Sequence, residues 1–311
     1  MVEKDQAIIV DNLCYSYGKV LAIDGISLNV SHGTVFAIIG PNGAGKTTLV
    51  KILLGGLKPK SGKVIVLGKD PRDVEAKVKI GFLPERVNLP ESWSALKFMN
   101  YIGYLCRLGR REAREKSLSL LKWIDLEEKA DDTINSFSAG MKQRLLIAQS
   151  LINDPELLIF DEPTSNLDAV GRHEVLEKIG QLKQEGKTIL LSGHVLSEIE
   201  KVSDHIAIIN HGRILLEGDL EEVKTRGLAN TFEIKTNDLT RTAEVLSNLG
   251  SVVNVTVVGD HLEVRTKNMT LASKEIPKIL VDAGLELLRF NRVERSLEEV
   301  FLKLLEEEKK A

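Results

Sequence analysis

Short apolar runs alternate with longer segments of helical periodicity through residues 1–226. The runs VFAII (35–39), VIVLG (64–68), KIGFL (79–83), LLIF (157–160), TILLS (188–192) and HIAII (205–209) have the length and β-branched content of strands. Residues 46–54, 96–108, 112–124, 139–152 and 169–184 repeat their apolar positions at helical spacing. Strands separated by helices predict an α/β fold whose largely parallel sheet is covered on both faces. Residues 90–135 are almost wholly helical in pattern and fall between two strand regions. They predict a helical subdomain inserted into the α/β core, over about residues 90–150.

Beyond GDLEEVKTRGLAN the pattern changes. TFEIKT (231–236) alternates as a strand does, and residues 239–250 read as a helix. VVNVTVV and HLEVRT are two strands joined at Gly259-Asp260, a hairpin signal. A helix over about residues 273–283 follows, with Pro277 expected near its start, and LELLRF reads as the last strand. The order βαββαβ is the ferredoxin-like arrangement, and it is assigned to residues 227–311. The closing helix opens with SLEE, where Ser296 and Glu299 fit a capping box. Its apolar stripe of Leu297, Val300, Phe301, Leu304 and Leu305 is expected to pack on its own domain, with a dimer contact as the alternative.

Composition changes this picture little. A chain of 311 residues exceeds what one core usually holds, which agrees with two domains. The net charge of −3 gives no electrostatic footprint for nucleic acid, so no nucleic-acid partner is expected. The two cysteines, Cys14 and Cys106, form neither a disulfide framework nor a metal motif, and a reducing cytosol is the simplest compartment. The start MVEKDQAIIVDN does not read as a signal peptide. WSALKFMNYIGYLCRL is the nearest approach to a membrane span, and Lys97 and Arg107 break it. Work at a membrane would need a partner.

The chemistry concentrates in three places. GPNGAGKT (40–47) follows an apolar run and opens a helix, satisfying the phosphate-loop pattern. Its glycines let backbone N–H groups curl around phosphate, Lys46 adds a full positive charge, and the Thr47 hydroxyl can ligate Mg²⁺. LLIFDEP ends a buried strand in Asp161, placed to hold Mg²⁺, and Glu162, placed to polarise an attacking water. Capping of the turn that follows is the plainer use of both acids. NSFSAGMKQRL (135–145) then puts Ser138 and two small residues at a second helix start suited to an anion. By itself Ser138 is equally an ordinary N-cap.

Taken in order, these motifs resemble the ATP-binding cassette family, the motor subunits of membrane transporters, over residues 7–219. The resemblance implies a P-loop NTPase cassette with a RecA-like core, and MgATP as its ligand. Gly40, Pro41, Asn42, Gly43, Ala44, Gly45, Lys46, Thr47 and Thr48 would hold the phosphates. Tyr17, in YSYG, would stack on adenine, although Tyr15 shares its strand face and core packing is the other use for Tyr17. Thr47, Asp161 and Glu85, the last in GFLPE, would serve the metal. Glu162, His194 (in LLSGH) and Lys46 would be catalytic. FSAGM, with Ser138, Ala139, Gly140 and Met141, stands at the signature position, and Asp168 closes the D-loop SNLD.

In this family two cassettes pack head to tail, so one copy's signature helix would touch nucleotide held by the other. The expected partners are therefore a second copy and a membrane-spanning permease, at the inner face of the cell membrane. Two departures stand out. Phe-Ser-Ala-Gly-Met replaces the usual Leu-Ser-Gly-Gly-Gln, and Glu85 replaces a glutamine, adding negative charge near the γ-phosphate. Substitutions of this kind, and the ending SLEEVFLKL, resemble subunits that serve exporters. The segment LPERVNLPESWSALKFMNYIGYLCRL would receive a short helix of the permease, or bury Trp93, Phe98 and Tyr101 within its own subdomain. Alternative readings are a soluble cassette ATPase acting on ribosomes or DNA, and a ligand-sensing switch.

Overall fold

The computed structural model describes residues 5–225, 231–293 and 296–310. Two long strands come first, β1 (Gln6–Tyr17) and β2 (Val20–Ser31). The fully buried β3 (Val35–Ile39) leads into α1 (Lys46–Leu53). β4 (Ser61–Val66), the short α2 (Val74–Lys77) and β5 (Ile80–Leu83) follow. A helical hairpin of α3 (Ala95–Leu105) and α4 (Arg110–Trp123) precedes α5 (Ala139–Ser150). Next come β6 (Leu157–Asp161), α6 (Ala169–Gln184), β7 (Thr188–Gly193) and α7 (Leu196–Val202). β8 (His205–Asn210), β9 (Arg213–Asp219) and α8 (Leu220–Thr225) follow them.

Six strands form one sheet in the order β5-β6-β7-β3-β8-β9. Its first five are mutually parallel, and β9 runs antiparallel on the edge. Buried residues along β3, β6 and β7 explain their unbroken apolar sequences, because a parallel sheet is covered on both faces. The register aligns Ile39 with Gly193, and Asp161 with Ser192. The carboxyl ends of β3, β6 and β7 therefore open at one edge, where ligands of open α/β sheets bind.

The run VIVLG does not join this sheet. Its residues up to Val66 belong to β4, which pairs antiparallel with β1 in a separate three-stranded sheet of order β2-β1-β4. The burial of β4 distinguishes it, since Ser61, Gly62 and Lys63 face solvent while Val64 and Val66 are buried. One wet face is normal for an antiparallel sheet and absent from the parallel one. Isoleucines of both sheets share one core with Leu49 and Leu53 of α1.

The chain divides into two compact units, Met1–Leu220 and Glu221–Ala311. The boundary expected between residues 226 and 227 lies outside the described residues. The second unit contains β10 (Thr231–Thr236), α9 (Leu239–Ser247), β11 (Val252–Val258), β12 (His261–Thr266), α10 (Met269–Asp282), β13 (Leu287–Arg292) and α11 (Leu297–Lys310). Its antiparallel sheet has the order β11-β12-β10-β13. Phe232, Ile234, Leu262 and Val264 pack there against Leu246, Ile276 and Leu280 of the helices. Pro277 lies well inside α10 rather than near its start. The Asn268 side chain accepts from Leu271 N at 3.0 Å and opens the helix earlier than expected. Burial of Ala272, Ile276 and Leu280 offsets the cost of an internal proline. Ser296 does cap α11, accepting from Glu299 N at 3.3 Å. Of the stripe on α11, Leu297 and Val300 are buried, and Leu305 lies outside the residues whose side chains are described.

Candidate functional site

The turn between β3 and α1 is shaped by what presses on it. A Cβ added to Gly40 would stand 2.2 Å from the Ile209 carbonyl oxygen, and one on Gly45 would stand 2.6 Å from that of Ala22. Gly45 also holds a φ of 111° at the N-cap of α1, a conformation open to glycine. No side chain caps α1 and no acid lies in its first turn, so its positive dipole end is free to face an anion. Lys46 is only 5% exposed. Its Nζ donates to Gly40 O at 2.7 Å and to Pro41 O at 3.3 Å, folding the side chain back over the loop. The loop opens on a cleft of ≈ 750 Å³, also lined by Tyr17, Glu85, Glu162 and His194. That volume suits a ligand of nucleotide size.

The two acids at the end of β6 face different partners. Ser192 Oγ donates to Asp161 Oδ1 at 2.5 Å and accepts from Glu162 N at 2.9 Å. Burial pushes the Asp161 carboxyl above its ordinary value of 3.8; hydrogen bonds from Ser192 and Thr47 oppose the rise, and the charges of Glu162 and Glu85 add to it. Glu162 has a φ of 53°, a left-handed conformation strained for a residue with a side chain. Its Oε1 lies 3.2 Å from Lys46 Nζ, and its Oε2 lies 2.6 Å from His194 Nδ1. A carboxylate, a cation and an imidazole thus form one connected row beside the phosphate loop.

The donor set at Thr47 and Asp161 fits Mg²⁺. That ion keeps most of its water and takes one or two protein oxygens beside those of phosphate. Among the described residues there is no cluster of three or more His, Cys, Asp or Glu that would enclose a metal ion by protein alone. Glu85 lines the same cleft and pairs with Arg86 at 3.3 Å. Tyr15 and Tyr17 meet edge to face at 5.0 Å, but Tyr15 packs on the core while Tyr17 is exposed on the cleft.

Ser138, Ala139, Gly140, Met141 and Asp168 are not among the residues lining this cleft. Ser138 caps α5, accepting from Met141 N at 3.2 Å, and both Ser138 and Ala139 are exposed. Asp168 caps α6, its Oδ1 accepting from Gly171 N at 2.8 Å. These two helix starts lie side by side. A Cβ on Gly140 would stand 3.2 Å from Gly171 Cα, and Arg144 pairs with Glu174 at 2.8 Å one turn further on. Gln143 Nε2 donates to Pro163 O at 2.7 Å, tying α5 to the exit of β6.

Sequence reasoning missed Ser192, Gly171 and the ion pair of Arg172 with Glu198 at 3.1 Å. Ser192 had one usable signal, its place at the end of an apolar run two residues before His194. Its role depends on β7 lying beside β6, which no local pattern states.

An ATPase of the P-loop class is what this fold and cleft define, and likeness to known proteins carries the assignment to a family. Residues 23–165 match the family described as ABC transporter, and residues 218–305 match that of the ATP-binding protein DrrA1-3-like C-terminal domain. The chain is 35% identical over 304 residues to the daunorubicin resistance ATP-binding protein DrrA3 of Streptomyces coeruleorubidus, covering 96% of each. It is 33% identical to the Nod factor export ATP-binding protein I of Cupriavidus metallidurans, covering 93% of each. Among solved structures, cbiO1 from Clostridium perfringens superposes with a TM-score of 0.65 at 30% identity, over 71% of this chain and 92% of that one. The dimeric post-hydrolysis state of the cassette MJ0796, bound to ADP and Pi, does so at 0.61 and 27%, over 68% and 98%. The chain belongs to the ABC transporter ATP-binding proteins: it is an ATP-binding, ATP-hydrolysing subunit with a DrrA-like C-terminal domain.

Proposed function

We propose that two copies of this chain close head to tail on ATP and drive export through a separate membrane-spanning permease. The observation that carries this reading is the division of labour within one chain. Lys46, Glu162 and His194 converge on one cleft, while the second anion-facing helix start, at Ser138, lies off that cleft, and the cations that follow it, Lys142 and Arg144, are engaged by Glu91 and Glu174. Such halves complete each other across a two-fold contact, as an isologous interface allows.

Lys46 would exchange the Glu162 carboxylate for β- and γ-phosphate oxygens. Glu162, released from that cation, polarises the attacking water, and His194 holds the carboxylate in place through Nδ1. Backbone N–H groups of residues 40–48 cradle the phosphates, and Tyr17 offers its exposed ring to the base. Thr47 and Asp161 would hold Mg²⁺, with Glu85 nearby in the same cleft, and the ion would supply charge neutralisation at the transferred phosphoryl group. Ser138, Ala139, Gly140, Met141 and Asp168 serve the nucleotide bound by the other copy.

Export is supported by the functions of full-length relatives, daunorubicin resistance and Nod factor export. Among the described residues no helix is long and apolar enough to cross a membrane, which supports a separate permease at the inner face of the cell membrane. A second groove of ≈ 680 Å³, between Val87, Asn88 and Leu89 on one side and Ala139 and Lys142 on the other, suits a short helix of that partner. Gel filtration of the Glu162→Gln protein tests the reading. ATP and Mg²⁺ are expected to shift it to a dimer, and a protein that stays monomeric while nucleotide is bound would refute it.

A further inference from the structure

The hairpin of α3 and α4 ends in a tip whose surface belongs to neither cleft. Gly103 lets the two helices touch, since a Cβ there would stand 2.9 Å from that of Ala113. Cys106 N donates to Ile102 O and Leu108 N to Gly103 O, both at 3.0 Å, and Arg107 turns the chain with a φ of 66°. Behind the tip, α3 buries Leu96, Phe98 and Met99. At the tip, Tyr101, Tyr104 and Leu105 are 45%, 46% and 63% exposed. They share one side of the last turns of α3, at spacings of three and four residues.

Four arginines follow this apolar patch in the turn and on α4. Arg107, Arg110, Arg111 and Arg114 are all exposed. Arg111 pairs with Glu115 at 2.7 Å, whereas Arg107, Arg110 and Arg114 make no ion pair among the described residues. Arg110 and Arg111 stand in the first turn of α4, where the helix dipole already disfavours positive charge. Gly109, the N-cap, contributes no side-chain acceptor there. Residues 107–116 hold five basic side chains and two acidic ones, a local charge of +3 in a chain of net −3. Glu112 in the same turn, Glu115 and Asp154 answer part of this charge, and an external layer of anions would answer the rest, carried by Arg107, Arg110 and Arg114.

Tyrosine, leucine and arginine together are the side chains that settle at a membrane–water interface. We propose that this tip binds the headgroup layer of an anionic phospholipid bilayer. Tyr101, Tyr104 and Leu105 enter the interface, and Arg107, Arg110, Arg111 and Arg114 meet lipid phosphates. The inference rests on the membrane-transporter reading, which brings a bilayer within reach. A permease helix is the less suited occupant, because these residues line neither the nucleotide cleft nor the groove at Val87–Leu89.

Vesicle sedimentation with the purified full chain, without permease, tests this. The protein is expected to bind phosphatidylcholine vesicles that contain phosphatidylglycerol, at low salt, and to release at high salt. Each basic contact is worth about fivefold in partitioning, so the Arg110→Gln/Arg114→Gln protein should bind roughly 25-fold more weakly. Leu105→Ser should weaken binding with no change of charge. All three substitutions are on exposed side chains, and ATP hydrolysis should persist in each variant. Absence of binding to anionic vesicles at low salt would overturn the proposal, as would equal binding by the variants. Variants that keep vesicle binding but lose a co-purifying permease would also overturn it, and would assign the tip to a protein contact. Failure of the transporter reading would look different: no permease associates, while vesicle binding and its loss in the variants persist.

Discussion

The cassette holds two helix starts built for anions, and they are finished to different degrees. At α1 the N-cap is a glycine in a left-handed conformation, the adjacent lysine is buried, and a carboxylate and an imidazole stand beside it. At α5 the N-cap is an exposed serine that satisfies its own helix, and the nearby cations Lys142 and Arg144 are paired with Glu91 and Glu174. In the proposed dimer the first start would supply the chemistry and the second would close over it as a lid. A glycine–glycine contact then fixes the second start to α6, whose cap is Asp168. The segments that open α5 and α6 therefore form one continuous surface.

The strongest way to test this contrast is to disable the chemistry and leave the lid. Glu162→Gln removes the proposed general base and should lower kcat by about 10²–10⁴-fold. Nucleotide affinity should hold or rise, because Lys46 loses its competing carboxylate. Lys46→Ala should act on binding itself. Loss of a charged hydrogen-bonding group costs about 1.5–3 kcal/mol, roughly a 10- to 150-fold weaker Kd for ATP by titration calorimetry. Equal loss of kcat and no loss of binding would contradict that assignment.

Gly171→Ala probes the lid. The new Cβ would lie 3.0 Å from Asp168 Oδ1 and 3.4 Å from Gly140 Cα. Overpacking of this kind costs about 1–3 kcal/mol. ATP binding by the single chain should be unchanged, whereas ATP-driven dimerisation should weaken. The smallest shift is expected in the ligand-free melting temperature of Asp161→Asn. Burial raises the Asp161 carboxyl above 3.8, so its contribution to stability is full below that pH and is lost as pH rises through the raised value. At neutral pH the ionised carboxylate therefore destabilises the nucleotide-free fold. The asparagine variant should melt a few degrees higher without ligand, on the scale of roughly 2–4 °C per kcal/mol. It should also lose the stabilisation that Mg²⁺ and ATP give the parent, and lose the parent's fall in melting temperature as pH rises from about 4 toward neutrality.

What was legible in the sequence follows the range of the interactions. GPNGAGKT and LLIFDEP are local: a few adjacent residues set the turn, the buried strand and the acid that ends it. The parallel sheet was legible because burial on both faces leaves unbroken apolar runs. β1, β2 and β4 were not recognised as one sheet, because their order depends on pairing between distant segments with one wet face. The left-handed turn at Glu162 follows from Ser192 beneath it, and Ser192 is a neighbour only once β6 and β7 lie side by side. Gly140 reads as room for an anion, and its use as a seat for Gly171 needs two helices to meet. Pro277 read as a helix start because proline favours that place, yet Asn268 had already opened α10.

Complementation between two inactive proteins tests the shared site most directly. Lys46→Ala leaves the lid intact and Ser138→Arg leaves the cleft intact, so each alone should hydrolyse almost no ATP. Mixed in equal amounts, half of the dimers would pair one of each, and one of the two sites in such a dimer would be whole. A site shared between copies predicts recovery of about one quarter of the parent ATPase rate on mixing. No recovery, or full activity of the Ser138→Arg protein alone, would show that each chain completes its own site.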